Sequence, residues 1–159
     1  MNLTQTDLHH RVVSLIGDYA HCIDDEEYEA WPEFFTDDCF YQVTSRESYR
    51  KAMPIGIFQC NSKGMLVDRI YSMRKANIFE PHRYRHLLGA TKITGGQAGI
   101  IESRTSFAVI RIMESGKSDL FLSGVYHDSM KAVGDDLKLS KRIVVLDSSR
   151  VDTLIVLPV

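Results

Sequence analysis

Long hydrophobic runs are missing from this sequence of 159 residues. No stretch approaches the ~18–20 apolar residues that a membrane-spanning helix needs, which excludes a protein anchored that way. A surplus of one charge is missing too: 19 basic against 21 acidic residues leave a formal net charge of -2. That balance offers no electrostatic pull on a polyanion, so a dedicated nucleic-acid binder is disfavoured. Cysteines number three, Cys22, Cys39 and Cys60, with no C-x-x-C or C-x-H pair. The chain therefore has no local zinc or iron–sulfur knuckle and no secreted disulfide framework, and reduced, buried thiols are expected. Nucleophile elbows, phosphate loops and dinucleotide-binding glycine motifs are absent. Gly95-Gly96 with Gly99 falls between two expected strands rather than before a helix. The opening MNLTQTDLHHRVV lacks the basic start and apolar core of a signal peptide, so a cytoplasmic protein is expected.

What is present is an ordinary globular composition, 44% hydrophobic and 25% charged, at a length suited to one domain over 1–159. Thr4 and Asp7 form a capping-box pattern ahead of Leu8, Val12, Leu15, Ile16 and Tyr19, which recur at helical spacing. The acidic cluster Asp24-Asp25-Glu26-Glu27 suits the first turn of a second short helix, and Trp31-Pro32 opens a further turn that buries Phe34 and Phe35. Residues 39–44 read as a strand and 65–76 as a helix with Leu66, Ile70 and Met73 on one stripe. After Pro81 the pattern changes to long strands over 83–94, 98–113, 119–132 and 137–148. Turn signals at Gly95-Gly96, Ser115-Gly116 and Gly134-Asp135 make these an antiparallel meander. The second of them is apolar on both faces, with Phe107, Val109 and Met113 on one and Ala108, Ile110 and Ile112 on the other, which predicts cover on both sides. Helices first and strands after give an α+β class, helices packed on one face of a curved antiparallel sheet. The closing run from Leu154 to Val159 is too apolar for water and must pack on the chain's own sheet or into a partner.

The densest polar constellation is Glu80-Pro81-His82-Arg83-Tyr84-Arg85-His86. On a strand, His82, Tyr84 and His86 share one face and Arg83 and Arg85 the other. A metal needs at least three ligands, and Glu80 is the only nearby carboxylate, so a hydrogen-bonded structural or interface patch is the better reading. Arg and Tyr are the residues that interfaces enrich. Asp68 and Arg69, with Arg74 and Lys75, mark the 65–76 helix as a charged face that is either solvated or docks on another subunit. Asp37-Asp38 read as turn formers more readily than as an acid–base pair, and Tyr19, Tyr41 and His127 as packing.

These residues carry a resemblance. The run MLVDRIYSMRKANIFEPHRYRHLLG (65–89) resembles the small, or beta, subunit of Rieske-type aromatic-ring-hydroxylating dioxygenases. Family members have a D-R-[IVL] helix, then an acidic residue before R-x-R-H-L; here these are Asp68, Arg69, Ile70, Glu80, Arg83, Arg85, His86 and Leu87. The ending KRIVVLDSSRVDTLIVLPV and the stretch YEAWPEFFTDDCFYQVT are similar to the family's as well, and the terephthalate type looks nearest. The resemblance implies a cone-shaped fold of the nuclear-transport-factor and scytalone-dehydratase kind, with N-terminal helices on a strongly curved antiparallel sheet. It implies a non-catalytic chain with no cofactor or metal of its own. The Rieske iron–sulfur cluster and mononuclear iron then sit on the large (alpha) subunit, in a hexamer of three large and three small chains that dihydroxylates an aromatic acid. Asp68, Arg69, Arg83, Tyr84, Arg85, His86 and Leu157 are the expected interface residues. Two other readings share the fold. One is a stand-alone dehydratase or isomerase using Asp37 or Asp38 with His82 or His86, and Tyr19 or Tyr41 to orient substrate. The other is a small-ligand or protein-interaction module.

Overall fold

Thr4 opens the first helix, α1 (Gln5–Asp24), with both arms of the capping box formed to Asp7. A computed structural model describes residues 4–54, 56–76, 79–151 and 155–159. Asn77 and Ile78 of the 65–89 segment and Leu154 of the closing run lie outside the described residues. Val12, Ile16, Tyr19 and Ile23 form the buried stripe of α1, spaced as the apolar periodicity requires. The acidic cluster straddles two helical segments: its end, Glu27, is the N-cap of the 3₁₀ segment that follows, while its first residues close α1. Asp24 is the last residue of α1 and Asp25 its C-cap, although carboxylates are unfavourable at the negative end of the helix dipole. Asp24 is kept there by the strand it holds, described below. A 3₁₀ segment follows over Tyr28–Phe34, burying Tyr28, Trp31 and Pro32. Phe35 is buried behind it, while Phe34 is only partly so.

The strands are β1 (Phe35–Ser45), β2 (Phe58–Cys60), β3 (His82–Gly95), β4 (Ile100–Met113), β5 (Ser118–Val133) and β6 (Asp136–Leu146). Two short elements between β1 and the next helix escape the sequence pattern: α2 (Arg46–Arg50), capped by Ser45, and β2 itself. The last helix is α3 (Lys63–Ala76). The sheet order is β2-β1-β6-β5-β4-β3. Neighbours are antiparallel except β1 and β6, which pair in parallel from Phe40↔Lys141 to Ser45↔Leu146. Turn signals specify only local hairpins, so this one long-range parallel ladder is invisible to them. Gly116 and Gly134 sit at hairpin tips with positive φ, as tight reversals between long strands require. Register shifts within β3, β4 and β5 bend the strands where the sheet wraps the core.

α1 packs against β3 and β6, and α3 against β1 and the 3₁₀ segment. One hydrophobic cluster lies between helices and sheet, joining Val12, Trp31, Leu66, Val109 and Leu139. The closing run belongs to it: Ile155, Leu157 and Val159 are buried there, which resolves its packing in favour of the chain's own core. Cover on the second sheet face is incomplete, contrary to the two-sided expectation. α2 reaches over that face far enough for Tyr49 to stack on His127, with ring centroids 4.9 Å apart, but Leu87 and Leu120 remain exposed.

Candidate functional site

Strand alternation divides β3 as its sequence dictates. Tyr84 and His86 point into the core, and Arg83, Arg85 and Leu87 point out. His86 is a structural joint. Its backbone N–H donates to Asp24 Oδ2 (2.9 Å), and its Nδ1 is hydrogen-bonded to Asp24 Oδ1 (2.7 Å). The carboxylate at the end of α1 thus satisfies two groups of β3 at once, and Arg85 Nη1 lies 3.7 Å from it on the solvent side. Next to this seam Arg83 faces Glu26 at 3.5 Å, and Arg74 holds Glu29 with its Nε at 2.7 Å. Exposed pairs of this kind contribute little to stability. Their arginines are therefore available to exchange partners.

These side chains line a cleft of about 890 Å³ whose walls include Tyr28, Arg74, Arg83 and Arg85, with Met73 and Leu157 among its apolar lining. The Tyr28 hydroxyl is pushed up to about 12 by burial and then by Glu26. It stays a hydrogen-bond donor at any physiological pH.

Over the outer sheet face the register aligns an apolar patch. Leu87 is opposite Ala108, and Ile110 bridges Arg85 and Leu120, while Arg83 is opposite Ile112. Leu120 is 68% exposed and Leu87 52%. Apolar residues rimmed by Arg83 and Arg85 have the anatomy of an interface core with a polar border.

The expected interface residues divide. Asp68, Arg83 and Arg85 are exposed. Arg69 is half-buried and committed inside the chain: its Nη2 donates to the Ile155 carbonyl (2.9 Å) and its guanidinium lies 3.7 Å from the Phe58 ring centroid. Tyr84, His86 and Leu157 are buried in the chain's own core, because inward alternation and an internally packed tail take them from the surface. The cavity-enzyme residues are not brought together. Asp37 and Asp38 are exposed, with Asp38 accepting from the Thr36 hydroxyl at 3.0 Å. Tyr19 and Tyr41 are interior and hold the tail. Among the described residues no group of three or more His, Cys, Asp or Glu side chains could hold a metal ion. The three thiols are buried, and His86 spends its Nδ1 on Asp24. These donors do not fit an iron–sulfur cluster or a mononuclear iron. No described helix is long and apolar enough to cross a membrane.

Sequence reasoning missed the pair Asp128 and Arg142. Both are fully buried, joined by bonds of 2.8 and 2.7 Å, with the guanidinium between the rings of Tyr19 and Tyr126. The signal was available: each charge falls in phase with inward residues of its strand, between Tyr126 and Met130 on β5 and before Val144 and Leu146 on β6.

Helices on one face of an open six-stranded sheet, with Leu87 and Leu120 exposed on the other and, among the described residues, no metal-holding side chains gathered, define a small α+β chain. The same architecture occurs in a solved structure assigned as a scytalone dehydratase from Novosphingobium aromaticivorans, with TM-score 0.68, 14% identity, and 92% and 91% of the two chains covered. The family profile described as ring hydroxylating beta subunit matches residues 19–153, and the chain belongs to that family. It is 44% identical, over 88% of its length and 91% of the relative's, to subunit beta 1 of the terminal oxygenase component of terephthalate 1,2-dioxygenase from Comamonas sp.. A solved structure assigned as the beta subunit of an aromatic-ring-hydroxylating dioxygenase from Novosphingobium aromaticivorans superposes with TM-score 0.86 at 33% identity, covering 96% and 97% of the two chains.

Proposed function

We propose that this chain is the non-catalytic assembly subunit of an oxygenase that dihydroxylates an aromatic acid of the terephthalate type in the cytoplasm. Its alpha partner carries the Rieske cluster and the mononuclear iron, three large chains standing with three small ones. The whole of 1–159 acts as one domain. The observation that carries the reading is the 44% identity to a terephthalate dioxygenase beta subunit over nearly the full length of both chains. The donor sets of the described residues, which fit no iron centre, support the division of labour.

The partner-facing surface in this reading comprises Asp68, Arg83, Arg85 and the apolar outer face at Leu87 and Leu120. Arg69, Tyr84, His86 and Leu157 support that surface from within. Arginine suits the position because its planar fork pairs carboxylates on a partner bidentately.

The test is a native pull-down through a tag on this chain, with light scattering, an iron assay and a visible spectrum. A brown complex with the mass of six chains and turnover of terephthalate is expected. A colourless, iron-free homo-oligomer from cells that also express the large subunit refutes the reading. Arg85→Ala should weaken recovery of the large subunit while the isolated chain melts as wild type, since Arg85 is half-exposed and lies 3.7 Å from the Asp24 carboxylate it faces. Undiminished recovery with this variant removes Arg85 from the interface.

A further inference from the structure

The interior between helices and sheet is richer in donors than a core of this size requires. Tyr19, Tyr41, Tyr126, Trp31 and Arg142 are all fully buried. They form one cluster: Tyr19 meets Tyr126 edge-on at 6.2 Å, Trp31 meets Tyr41 at 5.2 Å, and the Arg142 guanidinium lies 4.1 Å from the Tyr19 ring and 3.9 Å from that of Tyr126. Two hydroxyls from elements far apart in the chain converge on a single acceptor. Tyr19 Oη donates to the Val159 carbonyl oxygen at 2.7 Å, and Tyr41 Oη donates to the same oxygen at 2.8 Å.

Further donors in that cluster are unspent. Arg142 uses Nε and Nη2 on Asp128, and its Nη1 has no partner among the described residues; neither has Trp31 Nε1 or the Tyr126 hydroxyl. Burial raises the pKa of all three tyrosines, so they remain protonated donors. Unpaired donors are costly in a core, and surplus donors gathered beside one acceptor describe a place shaped to receive an oxygen. The rest of the occupant is apolar: Ile155, Leu157 and Val159. Arg69 tethers its near end through the Ile155 carbonyl.

We propose that this interior is a receptor for a branched aliphatic group bearing a carbonyl or carboxylate oxygen, and that segment 155–159 fills it as an intramolecular ligand. Tyr19 and Tyr41 hold the oxygen, and the Arg142 guanidinium, 4.1 Å from the Tyr19 ring, belongs to the same cluster of donors. Tethering gives the segment a high effective concentration, so a free ligand enters only where the segment's own hold is weakened.

The test uses the full chain with Leu157→Gly and Val159→Gly, which weakens the internal ligand without deleting it. The probe is the tripeptide Leu-Pro-Val. The variant should melt below wild type, recover at least half of the loss saturably at millimolar tripeptide, and show little shift in the wild-type chain. Adding Tyr19→Phe and Tyr41→Phe should weaken the tripeptide's hold about tenfold or more. No recovery by the tripeptide, or the same recovery with both hydroxyls removed, overturns the proposal. If the glycine variant does not fold, Tyr19→Phe/Tyr41→Phe in the otherwise unaltered chain decides it by hydrogen exchange. Faster exchange confined to 155–159 is expected, and unchanged exchange there overturns the receptor.

Discussion

Asp128→Asn tests whether the interior charge pair is held as the geometry says. The Asp128 carboxylate accepts from Arg142 Nε at 2.8 Å and from Nη2 at 2.7 Å, and both side chains are fully buried. Burial alone would lower the pKa of Arg142, but Asp128 more than offsets it and the net direction is upward. The guanidinium keeps its charge whatever stands at position 128. Asparagine retains one acceptor and no charge, so the variant leaves an uncompensated buried cation, which costs about 3–5 kcal/mol. Two aromatic faces remain, at 4.1 and 3.9 Å. They return on the order of 0.5–2 kcal/mol each at most, and they serve the wild type equally. With a native stability of ~5–15 kcal/mol and a urea slope of ~2 kcal/mol/M, the midpoint should fall by about 1.5–2.5 M. Added salt should change this little, because screening acts on exposed pairs. Replacing both residues, Asp128→Leu with Arg142→Met, removes the charge problem and should recover most of the loss. A cost below about 1 kcal/mol for Asp128→Asn, or a double variant weaker than either single one, refutes the reasoning.

Asp24→Asn leaves only one acceptor oxygen for the His86 amide and ring together, and should cost about 1–3 kcal/mol with faster exchange of the His86 amide; unchanged exchange contradicts the joint. Burial pushes the Cys22 and Cys39 thiols up to about 11, so iodoacetamide should spare them at neutral pH until the chain unfolds. Because their folded pKa lies above the unfolded value of about 9, the native state holds more protons between these limits, and this contribution to stability falls as pH rises from about 9 to about 11. Rapid labelling of the folded chain at pH near 8 contradicts their burial. A Cβ at Gly124 collides with the Val145 carbonyl oxygen of the adjoining strand, so Gly124→Ala should part the β5–β6 ladder and lower the urea midpoint; a midpoint equal to wild type shows that the ladder yields.

What the sequence made legible is whatever short-range physics encodes. Alternation placed His82, Tyr84 and His86 on one side of β3 and the arginines on the other, and glycine turns marked the hairpins. What it hid depends on contacts between distant segments. The β1–β6 ladder joins residues about a hundred positions apart, and nothing local in the acidic run at 24–27 reveals that Asp24 closes α1 and is needed by His86, 62 residues on. The expected interface set divides between surface and interior for the same reason. A motif records which residues a family keeps, but a residue is kept equally for building a surface and for being that surface. Arg85 and His86 are neighbours in one motif; one projects into solvent and the other fastens the strand to the helix behind it. Assembly measurements on Arg85→Ala and folding measurements on Asp24→Asn therefore probe two separate jobs within a single run of residues. Only the pair of experiments, read together, tells the surface from its support.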